Sequence, residues 1–102
     1  LNIVGGLKVS DPAIDLAVVA GLISSGEDVA INRRHCFAAE VGLSGEVRSV
    51  VRLEQRINEA AKLGFERIYI AKQGSKTPVA KRNDIEVVSL GEIDQLLPYI
   101  LS

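Results

Sequence analysis

Seven basic side chains are the groups in this 102-residue chain best placed to do chemistry. Arg48, Arg52 and Arg56 make one cluster. Arg52 and Arg56 stand four apart, so on a helix they share one side. Lys72, Lys76, Lys81 and Arg82 make a second cluster, in a stretch with no acidic residue. Ammonium and guanidinium groups so placed can hold phosphates without reading base sequence. The same residues can equally form solvated faces. Glu59 stands three residues from both Arg56 and Lys62, and Asp84 and Glu86 follow the second cluster.

Other chemistry is thin. The one His and the one Cys are neighbours, His35 and Cys36, too few for a four-ligand zinc site. On a strand, neighbours point to opposite faces, which predicts a buried Cys36 and a partly exposed His35. Gly5-Gly6 lacks the third glycine of a dinucleotide fingerprint, and no Walker-type phosphate loop is present. No catalytic residue, metal ligand or cofactor site is therefore expected in this chain. A net charge of −1 gives no global attraction to nucleic acid or membrane, so a basic site must be local. No apolar run approaches the roughly 20 residues of a membrane span. A single cysteine, unable to pair internally, suits a reducing cytoplasm. The chain opens on Leu1-Asn2-Ile3-Val4, already strand-like, which predicts a piece of a longer protein.

The elements that must position these groups follow from periodicity and punctuation. Leu1 to Val4 reads as a strand, with Gly5-Gly6 as a turn or bulge. Asp11 to Ser25 reads as a helix, with Asp11 as cap and Pro12 at the first helical position. It has almost no polar face, which predicts burial between the sheet and another layer, or against the rest of a longer protein. Asp15 is placed for a capping or dipole role at its start. Ser24 to Asp28 ends that helix in a turn, and Val29 to Arg34 is a connector. His35 resumes an extended pattern into a hairpin, with the turn at Ser44-Gly45. Arg52 to Leu63 reads as an amphipathic helix with Leu53, Ile57, Ala60 and Ala61 as its stripe. Gly64 closes it, and Phe65 packs back on its end. Arg67 to Ala71 and Ile85 to Val88 read as strands, joined by a polar loop over 72–83. Ser89 and Glu92 have capping-box spacing for a last helix bearing Ile93, Leu96 and Leu97, with Pro98 kinking or ending it. Mixed strands and helices of this kind make an α+β domain, with helices packed on a sheet.

Several blocks resemble the Lon protease-domain family, in its RadA (Sms) variant. They are Gly5-Gly6-Leu7-Lys8-Val9, then Asp11-Pro12-Ala13-Ile14-Asp15-Leu16-Ala17. Next come Ala39-Glu40-Val41 and Leu43-Ser44-Gly45-Glu46-Val47-Arg48. Arg52-Leu53-Glu54-Gln55-Arg56 and Glu59-Ala60-Ala61-Lys62-Leu63-Gly64-Phe65 complete the order. The resemblance covers nearly the whole chain. It implies a two-layer sandwich of Lon protease-domain type, with residues 1–102 a single partial domain whose first strands lie upstream of Leu1.

The resemblance also speaks to activity. Lon peptidases pair a serine nucleophile with a lysine base. The matching positions here are Ala13 and Glu54, which carry no hydroxyl and the wrong charge. Ser10 and Ser44 remain as nearby hydroxyls, with nothing to place a lysine beside them. A peptidase is thus the least favoured reading. The resemblance instead implies a non-proteolytic domain of a recombination and repair ATPase. That parent would hold ATP, Mg and Zn in other domains and assemble as a hexameric ring in the cytoplasm. This domain would help build the ring and contact double-stranded DNA during branch migration. A purely structural oligomerisation role is the alternative.

Overall fold

The computed structural model describes residues 13–73 and 84–101. The expected strand Leu1–Val4, the Gly5-Gly6 turn and most of the 72–83 loop lie outside these residues. The elements run β1 (Ala13–Asp15), α1 (Leu16–Glu27), β2 (His35–Gly42), β3 (Val47–Ser49), α2 (Leu53–Lys62), β4 (Arg67–Ala71) and β5 (Glu86–Leu90). A 3-10 turn (Ile93–Leu96) then leads into α3 (Leu97–Leu101).

β2 is the strand around which the mixed sheet is built. Its first half pairs in parallel with β4, His35 opposite Arg67, and β4 pairs in parallel with β5. Its second half pairs antiparallel with β3 on the same edge, Glu40 opposite Arg48. β1 pairs antiparallel on the other edge, Asp15 opposite Glu40. The hairpin between β2 and β3 has a three-residue loop, Leu43 to Gly45, rather than a turn at Ser44-Gly45 alone. Gly42 N–H donates to the Glu46 carbonyl at 2.9 Å, and Gly45 takes the expected positive φ of 85°.

Side chains alternate between two cores. Ala39, Val41, Tyr69, Ala71, Val88 and Leu90 pack with Leu16 and Ala20 of α1 and with Leu96 and Ile100. Ala38, Ile68, Ile70 and Ile85 pack with Leu53, Ile57 and Ala60 of α2. Helices therefore cover both faces of the sheet, and the expected two-layer sandwich is corrected to three layers. The reason is that β4 is apolar on both sides, as the central strand of a parallel pairing must be. From Ile68 to Ala71 it is buried throughout. The α+β class itself stands.

α2 follows the sequence reading closely. Leu53, Ile57 and Ala60 are its buried stripe. At its end Phe65 N–H donates to the Ala60 carbonyl and Gly64 N–H to the Ala61 carbonyl, both at 3.1 Å. That is a Schellman closure, with Gly64 at a φ of 93° and Phe65 folded against the α2 core.

Two helices differ from expectation. α1 begins at Leu16, because Ala13 to Asp15 extend and pair with β2 instead of helping to start the helix. Long-range ladder bonds outweigh the local cap signal there. Asp15 is the cap, its Oδ1 accepting from Ala17 N–H at 2.7 Å. Nor is α1 buried all round. Leu16 and Ala20 face the core, while Val18 and Leu22 are 54% and 67% exposed. At the other end the capping box is Glu92 with Gln95, not Ser89 with Glu92. Gln95 Oε1 accepts from Glu92 N–H at 3.0 Å, and Ser89 is spent in β5. Pro98 sits in the first turn of α3, where its missing N–H costs nothing, so it neither kinks nor ends the helix.

Candidate nucleic-acid interface

The structure brings Arg52 and Arg56 together. With Val51, Gln55 and Glu59 they line a shallow depression of about 170 Å³. Both are exposed, and among the described residues neither has an ion pair. Arg52 does not lie inside the helix, as the sequence reading had it. It is the N-cap residue of α2 in a left-handed conformation, φ 57° and ψ 42°, and its side chain makes no cap bond. A left-handed backbone strains any residue with a Cβ. A cation at the positive end of a helix dipole is also unfavourable. Arg52 therefore lowers local stability twice over while presenting an uncommitted guanidinium.

Arg48 is engaged differently. Its Nη2 lies 2.6 Å and its Nε 3.0 Å from Glu46 Oε2, on the same arm of the hairpin. That pairing holds the Glu46 carboxyl below the usual carboxylate range. Gly42 leaves room beneath it; a Cβ there would make the Glu46 carboxylate and the Arg48 guanidinium shift. Lys72 is exposed just beyond β4. Lys76, Lys81 and Arg82 lie outside the described residues. By strand register, Arg48 and Lys72 sit towards the C-terminal end of the parallel strands.

At the opposite end lies a cleft that the sequence reading did not assemble. It encloses about 430 Å³ between the 29–32 connector, the starts of β2 and β4, and α3. His35, Phe37, Tyr69, Tyr99 and Arg67 line it, with apolar contributions from the connector. Phe37 stacks on Tyr69 at 4.9 Å between centroids. Tyr69 meets Tyr99 edge-on at 5.6 Å and His35 at 6.0 Å. Arg67 Nε donates to Glu86 Oε1 at 2.7 Å and Nη1 to the Tyr69 hydroxyl at 3.0 Å. The Tyr69 bond, then Glu86, raise the Arg67 pKa. Its guanidinium lies 5.5 Å from the Tyr99 ring centre. Only the parallel register, which sets His35, Arg67 and Glu86 side by side, creates this group. The local run Asn32-Arg33-Arg34-His35 was the one signal available in the sequence.

His35 and Cys36 do point to opposite faces, one towards Tyr69 and one into the α2 core, though both are half-buried. Burial raises the Cys36 pKa. Burial, then Arg67, lower that of His35. The unfolded chain thus takes up the His35 proton first as pH falls. The fold should lose stability below about pH 6.5 until the lower folded value is passed, and then level off. Melting temperature measured against pH should show this step, and His35→Gln should flatten it.

Ala13 lies in β1 opposite Gly42, and Glu54 is exposed in the first turn of α2. Ser44 is at the hairpin tip, its N–H donating to Glu46 Oε1 at 3.2 Å; Ser10 is outside the described residues. Among the described residues, no group of three or more His, Cys, Asp or Glu side chains could hold a metal ion. No described helix is long and apolar enough to cross a membrane.

Comparison with known proteins finds one set of similar sequences. No family model matches the chain. A DNA repair protein RadA from Streptococcus pneumoniae is 45% identical over 102 residues, the whole of this chain. This chain is similar to RadA along its whole length. The RadA of Bacillus subtilis is 45% identical over 97 residues, and that of Listeria monocytogenes 44% over 104. These matches cover 95% and 99% of the chain. The chain spans about a quarter or less of these RadA proteins, 24%, 21% and 22% of their lengths.

Proposed function

We propose that this chain is a non-proteolytic, Lon-like domain at the C-terminal part of a longer, RadA-type DNA repair protein. Its role is to scaffold a hexameric ring and to contact double-stranded DNA during branch migration. The longer protein is an ATP-driven motor of the cytoplasm, with ATP and Mg held by an ATPase domain and Zn by a finger domain. What supports the lineage is identity to RadA proteins along the whole chain. The observation that carries the DNA contact is Arg52, held at a cost in stability beside Arg56, with neither in an ion pair among the described residues. Two guanidiniums per subunit are a weak phosphate site alone. Repeated around a ring they act at high effective concentration on one duplex.

The test follows from the strain at Arg52. Asparagine tolerates the left-handed region and is a favoured cap. Arg52→Asn should therefore raise stability, by about 1 kcal/mol in urea unfolding, and weaken duplex binding by the intact protein. A variant that gains stability and binds as before would remove the reason for the strain and with it the proposal.

A purely structural role remains the second reading, favoured by the outer face of α1. Val18 and Leu22 are more than half exposed there, as is Ile14 in β1 just before it. An apolar helix face of this kind suits contact with the rest of a longer chain or a neighbouring subunit. Arginines buried in subunit contacts, with unchanged DNA affinity on their removal, would favour it.

A further inference from the structure

The aromatic cleft at the N-terminal ends of β2, β4 and β5 has no part in the duplex contact. We infer that it holds an unpaired nucleotide of single-stranded nucleic acid. This goes beyond the duplex-contact reading and does not depend on it.

Three observations converge. The first is size: about 430 Å³ falls in the range of small-molecule sites, roughly 300–1,000 Å³. The second is the lining. His35, Phe37 and Tyr99 are partly accessible rings, backed by Ile31 and Ile100. Rings of this kind stack any base, because every base has a π-face. Burial, then Arg67, disfavour the His35 cation, which favours the uncharged ring. The third is charge at the rim. Arg67 is fixed by Glu86 and the Tyr69 hydroxyl, leaving its Nη2 donors without a partner among the described residues. Arg34 is 3.4 Å from Glu66, both well exposed. Arg33 immediately precedes Arg34 in sequence and has no ion pair among the described residues. The turn that carries Arg33 is held by Asn32, whose Oδ1 accepts from Arg34 N–H at 2.8 Å and whose carbonyl accepts from His35 N–H at 3.1 Å. An aromatic-lined cleft beside fixed and free guanidiniums suits a base with its phosphate. An apolar peptide would leave the arginines unused. In a duplex the neighbouring base pairs already cover each stacking face, so a duplex cannot enter.

Photocrosslinking of the intact protein tests this, with an oligo(dT) strand of about 20 nucleotides carrying iododeoxyuridine. Crosslinks should map to residues 29–37 or 97–101. Tyr99→Leu should cut that yield by roughly 5- to 100-fold, while Tyr99→Phe, which keeps the ring, should stay within about twofold. Arg33→Glu, at an exposed position, should lower affinity and reduce the salt slope by about 0.7. The proposal is overturned if crosslinks fall only elsewhere, or if Tyr99→Leu leaves the yield unchanged. It is also overturned if a duplex labels the cleft equally, or if an abasic strand of the same length competes as well as oligo(dT). An apolar peptide that occupies the cleft while oligo(dT) does not would have the same meaning.

Discussion

Tyr69→Ala should destabilise the domain by about 3–5 kcal/mol, the usual cost of truncating a buried aromatic. Tyr69 is 2% exposed and sits where β4 meets α1 and α3. Its ring stacks on Phe37, meets Tyr99 and His35, and its hydroxyl receives the Arg67 bond. Truncation removes the ring from every one of these contacts and leaves Glu86 as the hydrogen-bond partner of Arg67. For a domain of this size each kcal/mol moves the melting temperature by about 4–8 °C, so a fall of at least 12 °C is expected. Tyr69→Phe separates packing from polarity. It keeps the ring and removes only a bond to a charged donor, worth about 1.5–3 kcal/mol. If Tyr69→Phe proved as damaging as Tyr69→Ala, the hydroxyl and not the ring stack would be the organising feature of that core.

The second large effect belongs to the opposite face. Ile57→Ala should cost about 2–5 kcal/mol in urea unfolding. Ile57 is fully buried between α2 and the sheet, against the core that contains Ala38, Ile68 and Ile70. Leu63→Ala is the control. Leu63 lies at the end of the same helix but is 76% exposed, and a surface change of this kind stays within about 0.5 kcal/mol. Equal losses from the two substitutions would mean that α2 does not cover this face, and the three-layer arrangement would fail with it.

What the sequence disclosed follows the range of the interactions involved. α2 and its glycine closure were legible because stripe, cap and turn all lie within 14 residues, Arg52 to Phe65. β4 and the β2–β3 hairpin were legible for the same reason. The start of α1 was not, because Ala13 to Asp15 are held by residues 40–42 of β2, far along the chain. Composition alone suggested that α1 is buried all round; only packing shows that Val18 and Leu22 look outward. The candidate site divides in the same way. Arg52 and Arg56 were found by local spacing. The left-handed backbone at Arg52 carries no glycine or asparagine to announce it. His35, Arg67 and Glu86 meet only through parallel pairing of three strands, which no spacing rule reveals.

The central claim is that Arg52 and Arg56 hold duplex phosphates. Its most direct measurement is the salt dependence of double-stranded DNA binding by the intact protein, with and without Arg52→Glu plus Arg56→Glu. Each phosphate contact contributes about 0.9 to the slope of log affinity against log salt concentration. The account predicts weaker binding and a slope lower by about 1.8 per contacting subunit, with the oligomeric state unchanged in sedimentation. The same affinity and the same slope in the double variant would contradict it.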